Sequence, residues 1–207
     1  MNKKNLTIIA AALTALILLR SLSRKKGFKN KIAELAKQEF KKWGSGTIKE
    51  DNTKTIQSLR DYWQQGTKLN KSDNYYINTA WSAAFISYIM RKAGAGDKFK
   101  YSTAHSDYIN AAKQNRKNNI KTFQAFRKNE MPVTVGDLIC YPRTDGVTFD
   151  TNGGYFAHCD IVTEVTPGKA IAIGGNVSNT VNQTTYTLDS NNKVTTGKVH
   201  AIIKTLL

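Results

Sequence analysis

Residues 78–90 read Asn78-Thr79-Ala80-Trp81-Ser82-Ala83-Ala84-Phe85-Ile86-Ser87-Tyr88-Ile89-Met90. Trp81, Ala84, Phe85, Tyr88 and Ile89 recur at three- and four-residue steps, and Ala83, Ile86 and Met90 carry the apolar character around the axis. That pattern predicts a helix buried on most of its sides. Asn78 or Thr79 supplies its start, and Gly94 and Gly96 supply its stop. Ser82 falls in the first turn, where unpaired backbone N–H groups and the positive end of the dipole favour developing negative charge.

Upstream, Phe28, Ile32, Leu35, Ala36, Phe40 and Trp43 keep helical spacing and predict an amphipathic helix that Gly44-Ser45-Gly46 ends. Its aromatic residues call for a core, so it reads as the first helix of the domain rather than a lipid-surface helix. A second helix is expected near residues 52–63, with Ile56, Leu59, Tyr62 and Trp63 on one side. Downstream of Asn129 the pattern shortens. Residues 137–141, 158–165, 170–173 and 198–204 read as strands bounded by Gly, Pro or Asn. The polar, glycine-bearing residues 143–154 read as a surface loop. Helices first and antiparallel strands after give an α+β fold, with N-terminal helices packed on a small antiparallel sheet.

Thirty-one basic residues face fifteen acidic ones in 207, a net charge of +16 that favours an anionic partner: nucleic acid, lipid headgroups or envelope polymers. No helix-turn-helix, RNP motif or basic-aromatic stripe accompanies the lysines, so nucleic acid has only charge behind it. Residues 6–19 form an apolar run flanked by Lys3, Lys4, Arg20, Arg24, Lys25 and Lys26. Fourteen helical residues reach about 21 Å, short of the ~30 Å hydrocarbon core, and Leu22 with a snorkelling Arg20 would lengthen the span. An uncleaved membrane anchor over residues 1–27 is favoured over a signal peptide cut near Ser21-Leu22-Ser23, because basic residues surround that point. The basic flank argues by the positive-inside rule for a cytoplasmic domain, whereas a wall-directed enzyme belongs on the envelope side or is exported. Residues 28–207 are then the globular domain.

Two cysteines make neither a disulfide framework nor a zinc site. Cys140 and Cys159 both fall in predicted strands, so a cross-strand bridge is geometrically available, but two buried reduced thiols are expected. Three histidines without H-E-x-x-H or C-x-x-C spacing argue for no metal and no cofactor.

Amide hydrolysis by a nucleophile needs that nucleophile, a histidine to take its proton and a group to orient the histidine. Ser82, His158 at the start of a strand, and Asn176 after Gly174-Gly175 are the candidates. Asp160 competes with Asn176. Two residues along one strand span about 6.6 Å and a neighbouring strand lies about 4.8 Å away, so Asn176 is preferred. His105, Trp81 and Tyr76 are candidate substrate contacts. Cys159 points away from His158 by strand alternation, and His200 reads as an outer-strand residue without a role.

Trp81-Ser82-Ala83-Ala84-Phe85-Ile86, Val135-Gly136-Asp137-Leu138-Ile139, His158-Cys159-Asp160-Ile161-Val162 and Ile173-Gly174-Gly175-Asn176 occur in an order that resembles the NlpC- and CHAP-type cell-wall hydrolases of the papain-like superfamily. With Arg60-Asp61-Tyr62-Trp63 and residues 101–108, the chain looks more closely like domain of unknown function 2272. The resemblance implies a papain-like fold and an amidase or peptidase acting on peptidoglycan stem peptides. It places Ser82 at the nucleophilic cysteine, His158 at the base and Asn176 at the third polar position. The departure is the hydroxyl in place of a thiol, since a thiol starts near pKa 8.5 and is readily ionised. The alternative is a non-catalytic wall-binding or virion- or secretion-associated module of the same fold.

Overall fold

In a computed structural model, residue 23 and residues 27–207 are described. Helix α1 covers residues 27–42 and seals Ile32, Ala33 and Ala36 against the core. It breaks where Gly44 and Gly46 take positive φ. Helix α2 (Ile56–Arg60) runs directly into a π-helical turn, Asp61–Thr67. Gly66 lies in that turn because a Cβ there would meet the Ala84 carbonyl and Tyr88 N, both at 2.8 Å. Two further helices, α3 (Asp73–Asn78) and α4 (Ser82–Ala93), follow. Every residue of α4 is buried except Arg91 and Lys92, as its all-round apolar character predicts. Its stop is Gly94 at φ 93°, whereas its start falls at Ser82, four residues past Asn78, and has no side-chain cap. Helix α5 (His105–Lys117) completes the helical layer.

Six strands form one antiparallel sheet: β1 (Phe123–Phe126), β2 (Leu138–Pro142), β3 (Ala157–Thr166), β4 (Lys169–Gly174), β5 (Asn182–Thr187) and β6 (Ala201–Thr205), in the order β1-β6-β2-β3-β4-β5. The α+β class therefore holds. Four strands fall where alternation and turn residues put them. Short β1 and polar β5 carry too little apolar pattern to be read beforehand.

Strand alternation sorts the side chains into two cores. Leu138, Cys140, Cys159, Ile161 and Ile203 face the cluster that holds the helices. Ile139, Val162, Ala172, Tyr186 and Ile202 form a second cluster with Leu188 and Val194.

Three expectations are corrected here. Cys140 and Cys159 are directly opposite each other on β2 and β3 and are joined in a disulfide, not held as reduced thiols. His200 precedes β6, which lies inside the sheet between β1 and β2 and not at its outside. The transmembrane helix is set aside: among the described residues no helix is long and apolar enough to cross a membrane. The apolar run at residues 6–19 lies outside the described residues.

Candidate functional site

The start of α4 is fixed by an aromatic stack. Trp81 lies 4.9 Å from Trp43 and 5.6 Å from Tyr62, centroid to centroid, and its Nε1 donates to Glu50 at 2.6 Å. With Trp81 immobile, Ser82 is the first helical residue and retains only 8% exposure. The start of α5 is tied to α4 by a reciprocal pair: Ser87 Oγ donates to the Ser102 carbonyl at 2.8 Å and accepts from Ser102 N at 3.1 Å. These ties bring Ser82 Oγ to 2.7 Å from Nε2 of His105, the first residue of α5.

His105 Nδ1 bonds the Tyr108 hydroxyl, one helical turn further on. A neutral imidazole has one N–H, so this pair of bonds has two consistent directions. In one, His105 Nδ1–H donates to the tyrosine and Nε2 accepts the serine proton; in the other both are reversed. Burial, then the neighbouring His158 and Arg143, hold the His105 imidazole well below its ordinary range, so it is neutral near pH 7. Burial likewise pushes Tyr108 well up, with Asp160 and Asp107 adding to the effect, so its phenol keeps its proton.

A second imidazole lies behind the first. The His158 ring is 5.2 Å from that of His105, centroid to centroid, and is fully buried. Its Nε2 is 2.8 Å from Asp160 Oδ1, and Tyr186 donates its hydroxyl to Asp160 Oδ2 at 2.5 Å. Burial pushes the Asp160 carboxyl up, but the His158 charge interaction and hydrogen bonds from His158, Tyr186 and Thr184 outweigh it and hold the group below the usual range. On the other side of the ring, Nδ1 is 3.4 Å from a guanidinium nitrogen of Arg143. Nε2 therefore faces a carboxylate and Nδ1 a guanidinium, and it is Nε2 that carries a proton toward Asp160.

The structure thus joins Ser82 to His105 and His158 to Asp160. Asn176 is not the group that orients His158. It lies two residues beyond β4 in left-handed backbone, φ 56°. Asp160 takes the orienting position because residues 158 and 160 share one face of β3 and both side chains lean across the pleat. Gly174 leaves them the room: a Cβ there would meet Asp160 Oδ1 at 1.9 Å and His158 Nε2 at 2.8 Å. Strand spacing, measured between backbones, misses that reach.

Trp81 and Tyr76 are fully buried. Trp81 is a prop for the helix start, and the Tyr76 hydroxyl accepts from Lys71 N at 2.6 Å. His105 moves from substrate contact to partner of the serine. The signal available in the sequence was the three-residue step from His105 to Tyr108 just after Ser102-Thr103-Ala104, a helix start that places both rings on one side.

Surface cavities lie outside the imidazole pair. One of about 370 Å³, lined by Lys49, Glu50, Ile77, Asn78, Ser178 and Asn179, borders the segments leading to Trp81 and away from Asn176. A larger groove of about 520 Å³ runs past Arg127, Lys128, Phe149, Lys198 and His200. Among the described residues no cluster of three or more His, Cys, Asp or Glu is gathered in a way that would hold a metal ion.

No curated protein and no solved structure matches the chain. A family model does match, over residues 41–204, a span holding α2 to α5, nearly all of the sheet and every residue of the serine–histidine arrangement. The chain belongs to the family described as uncharacterized protein conserved in bacteria, DUF2272.

Proposed function

We propose that the protein is a serine-based amide hydrolase, with peptidoglycan stem peptides as its substrate class. The single observation behind this reading is the 2.7 Å contact between Ser82 Oγ and His105 Nε2 at the tips of two helices. In this mechanism Ser82 attacks the scissile carbonyl while Nε2 of His105 takes its proton, and Tyr108 holds the opposite Nδ1–H. Backbone N–H groups in the first turn of α4, left without an intrahelical partner, stabilise the oxyanion. The proton then passes from His105 to the leaving amine, and water repeats the cycle on the acyl-serine. His158 and Asp160 support the His105 ring from behind.

The likeness to NlpC- and CHAP-type hydrolases supports the wall-peptide substrate and a papain-like lineage. The +16 charge supports anionic envelope polymers as the surrounding matrix. The Cys140–Cys159 disulfide supports an oxidising compartment, in keeping with a role in the envelope.

A second reading, a binding module without chemistry, is favoured by burial: Ser82 is 8% exposed, His105 5% and His158 0%. Fragment release from purified wall material separates the two. Catalysis predicts a loss of about 10²–10⁴ in rate for both Ser82→Ala and His105→Ala. Wild-type rates in both variants would remove the hydrolase reading. Sedimentation with wall material and no release of fragments would establish the binding one.

A further inference from the structure

We infer that Arg143 recognises a carboxylate or comparable anionic group carried by the ligand beside the Ser82–His105 pair. The inference rests on the hydrolase reading for what the ligand is, but on separate observations for its charge. Five arginines lie among the described residues. Arg60, Arg116 and Arg127 each hold a carboxylate in an ion pair. Arg91 covers the Tyr101 ring at 3.7 Å. Arg143 alone of the five has neither, and it is exposed.

Its position is not that of a stray surface group. The Arg143 backbone N–H is anchored to the Phe156 carbonyl at 2.8 Å, and the Phe156 N–H returns to Thr144 Oγ at 3.0 Å. The residue is thereby held at the end of β2, where the strand opens into the surface loop. From there one guanidinium nitrogen reaches His158 Nδ1. A guanidinium carries five donors in a planar fork, and this contact occupies one of them. The remaining donors match the geometry of a carboxylate or phosphate. Two imidazoles separate the guanidinium from Ser82 Oγ, a span that an extended peptide covers in two or three residues at about 3.5 Å each. Arg143 also acts electrostatically on the rings of His105 and Tyr141, so its charge is felt at the site itself. A ligand anion there would pair with the guanidinium on the side that the imidazole leaves open. Ligands with a free acid within that reach are selected over amidated ones.

The test compares a peptidoglycan stem tetrapeptide with the same peptide whose carboxyls have been converted to carboxamides. Both hydrolysis and binding by titration calorimetry are measured on the full chain. The wild-type protein is expected to favour the acid form at least tenfold. Arg143→Ala should erase the preference through KM, and Arg143→Lys should restore part of it. Equal handling of the two peptides by the wild-type protein overturns the inference, as does a preference that survives in Arg143→Ala. A uniform slowing of both peptides by Arg143→Ala would mean that the residue only positions the His158 ring, and overturns it too. If neither peptide is cut but the acid form binds at least tenfold tighter through Arg143, the hydrolase reading falls and anion recognition stands. Binding of neither peptide overturns both.

Discussion

At the scale of single residues, the consequences of burying two histidines and an aspartate are measurable. His105 is held well below its ordinary pKa by burial, with His158 and Arg143 adding to it. Burial also lowers His200. For such groups the unfolded chain binds more protons than the folded one between the folded and unfolded values, so stability rises with pH through that window. Denaturant unfolding should therefore show a folded state that weakens steadily below about pH 6.5, where unfolded histidines begin to charge. His105→Gln should flatten that slope, and an unchanged slope would contradict the neutral assignment. Asp160 behaves oppositely in origin but alike in direction: its depressed carboxyl contributes stability above the ordinary aspartate range and loses it in stronger acid. Tyr186→Phe removes one donor from that carboxylate and should cost about 1.5–3 kcal/mol in chemical denaturation. Ser82 was legible as a first-turn residue of a buried helix, because side-chain periodicity fixes helix faces. The identity of its partner was not. A contact between residues 23 positions apart depends on how two helix ends are tied, here by Ser87 and Ser102.

At the scale of elements, the close approach of β4 to β3 and α4 depends on two adjacent glycines. A Cβ on Gly174 would overlap Asp160, and one on Gly175 would come within 2.5 Å of Phe85 Cβ and 2.7 Å of the Trp81 ring. Gly174→Ala should destabilise the fold by about 1–3 kcal/mol through overpacking and should perturb the His158 ring resonances by NMR. Normal stability together with an unmoved His158 signal would contradict this crowding. What approaches the glycine pair is a property of the neighbouring strand and helix and is not legible in the local sequence. Alternation and flanking turn residues were enough for β2, β3, β4 and β6. In contrast, β5 reads Asn182-Gln183-Thr184-Thr185-Tyr186-Thr187 and buries only Tyr186, so it lacks an apolar period and forms by pairing with β4.

At the scale of the whole molecule, the fold is fastened at two internal points. Asp137 is fully buried and accepts from Lys29 of α1, from Lys204 and from Thr205 N of β6, and from Thr134. Replacing it as Asp137→Ala strands Lys204, a largely buried ammonium, and should cost about 3–5 kcal/mol by chemical denaturation. The disulfide closes a sequence separation of 19 residues, and Cys140→Ser with Cys159→Ser should cost roughly 3 kcal/mol by the loop-entropy argument. Neither fastening was read correctly beforehand. Asp137 reads in the sequence as a residue of a strand motif, and Cys140 and Cys159 read equally well as small buried hydrophobes, because which positions face each other is settled only by the strand register. The sheet order has a further consequence for how the protein is made. Strand β6 is the wedge between β1 and β2, and every strand but this one precedes residue 188. A nascent polypeptide halted before residue 201 would hold both neighbours with no strand between them, baring the backbone of β2 as an adhesive border. Completion of the sheet thus waits until translation has passed residue 205, and premature termination just short of it should yield aggregates instead of a smaller folded product.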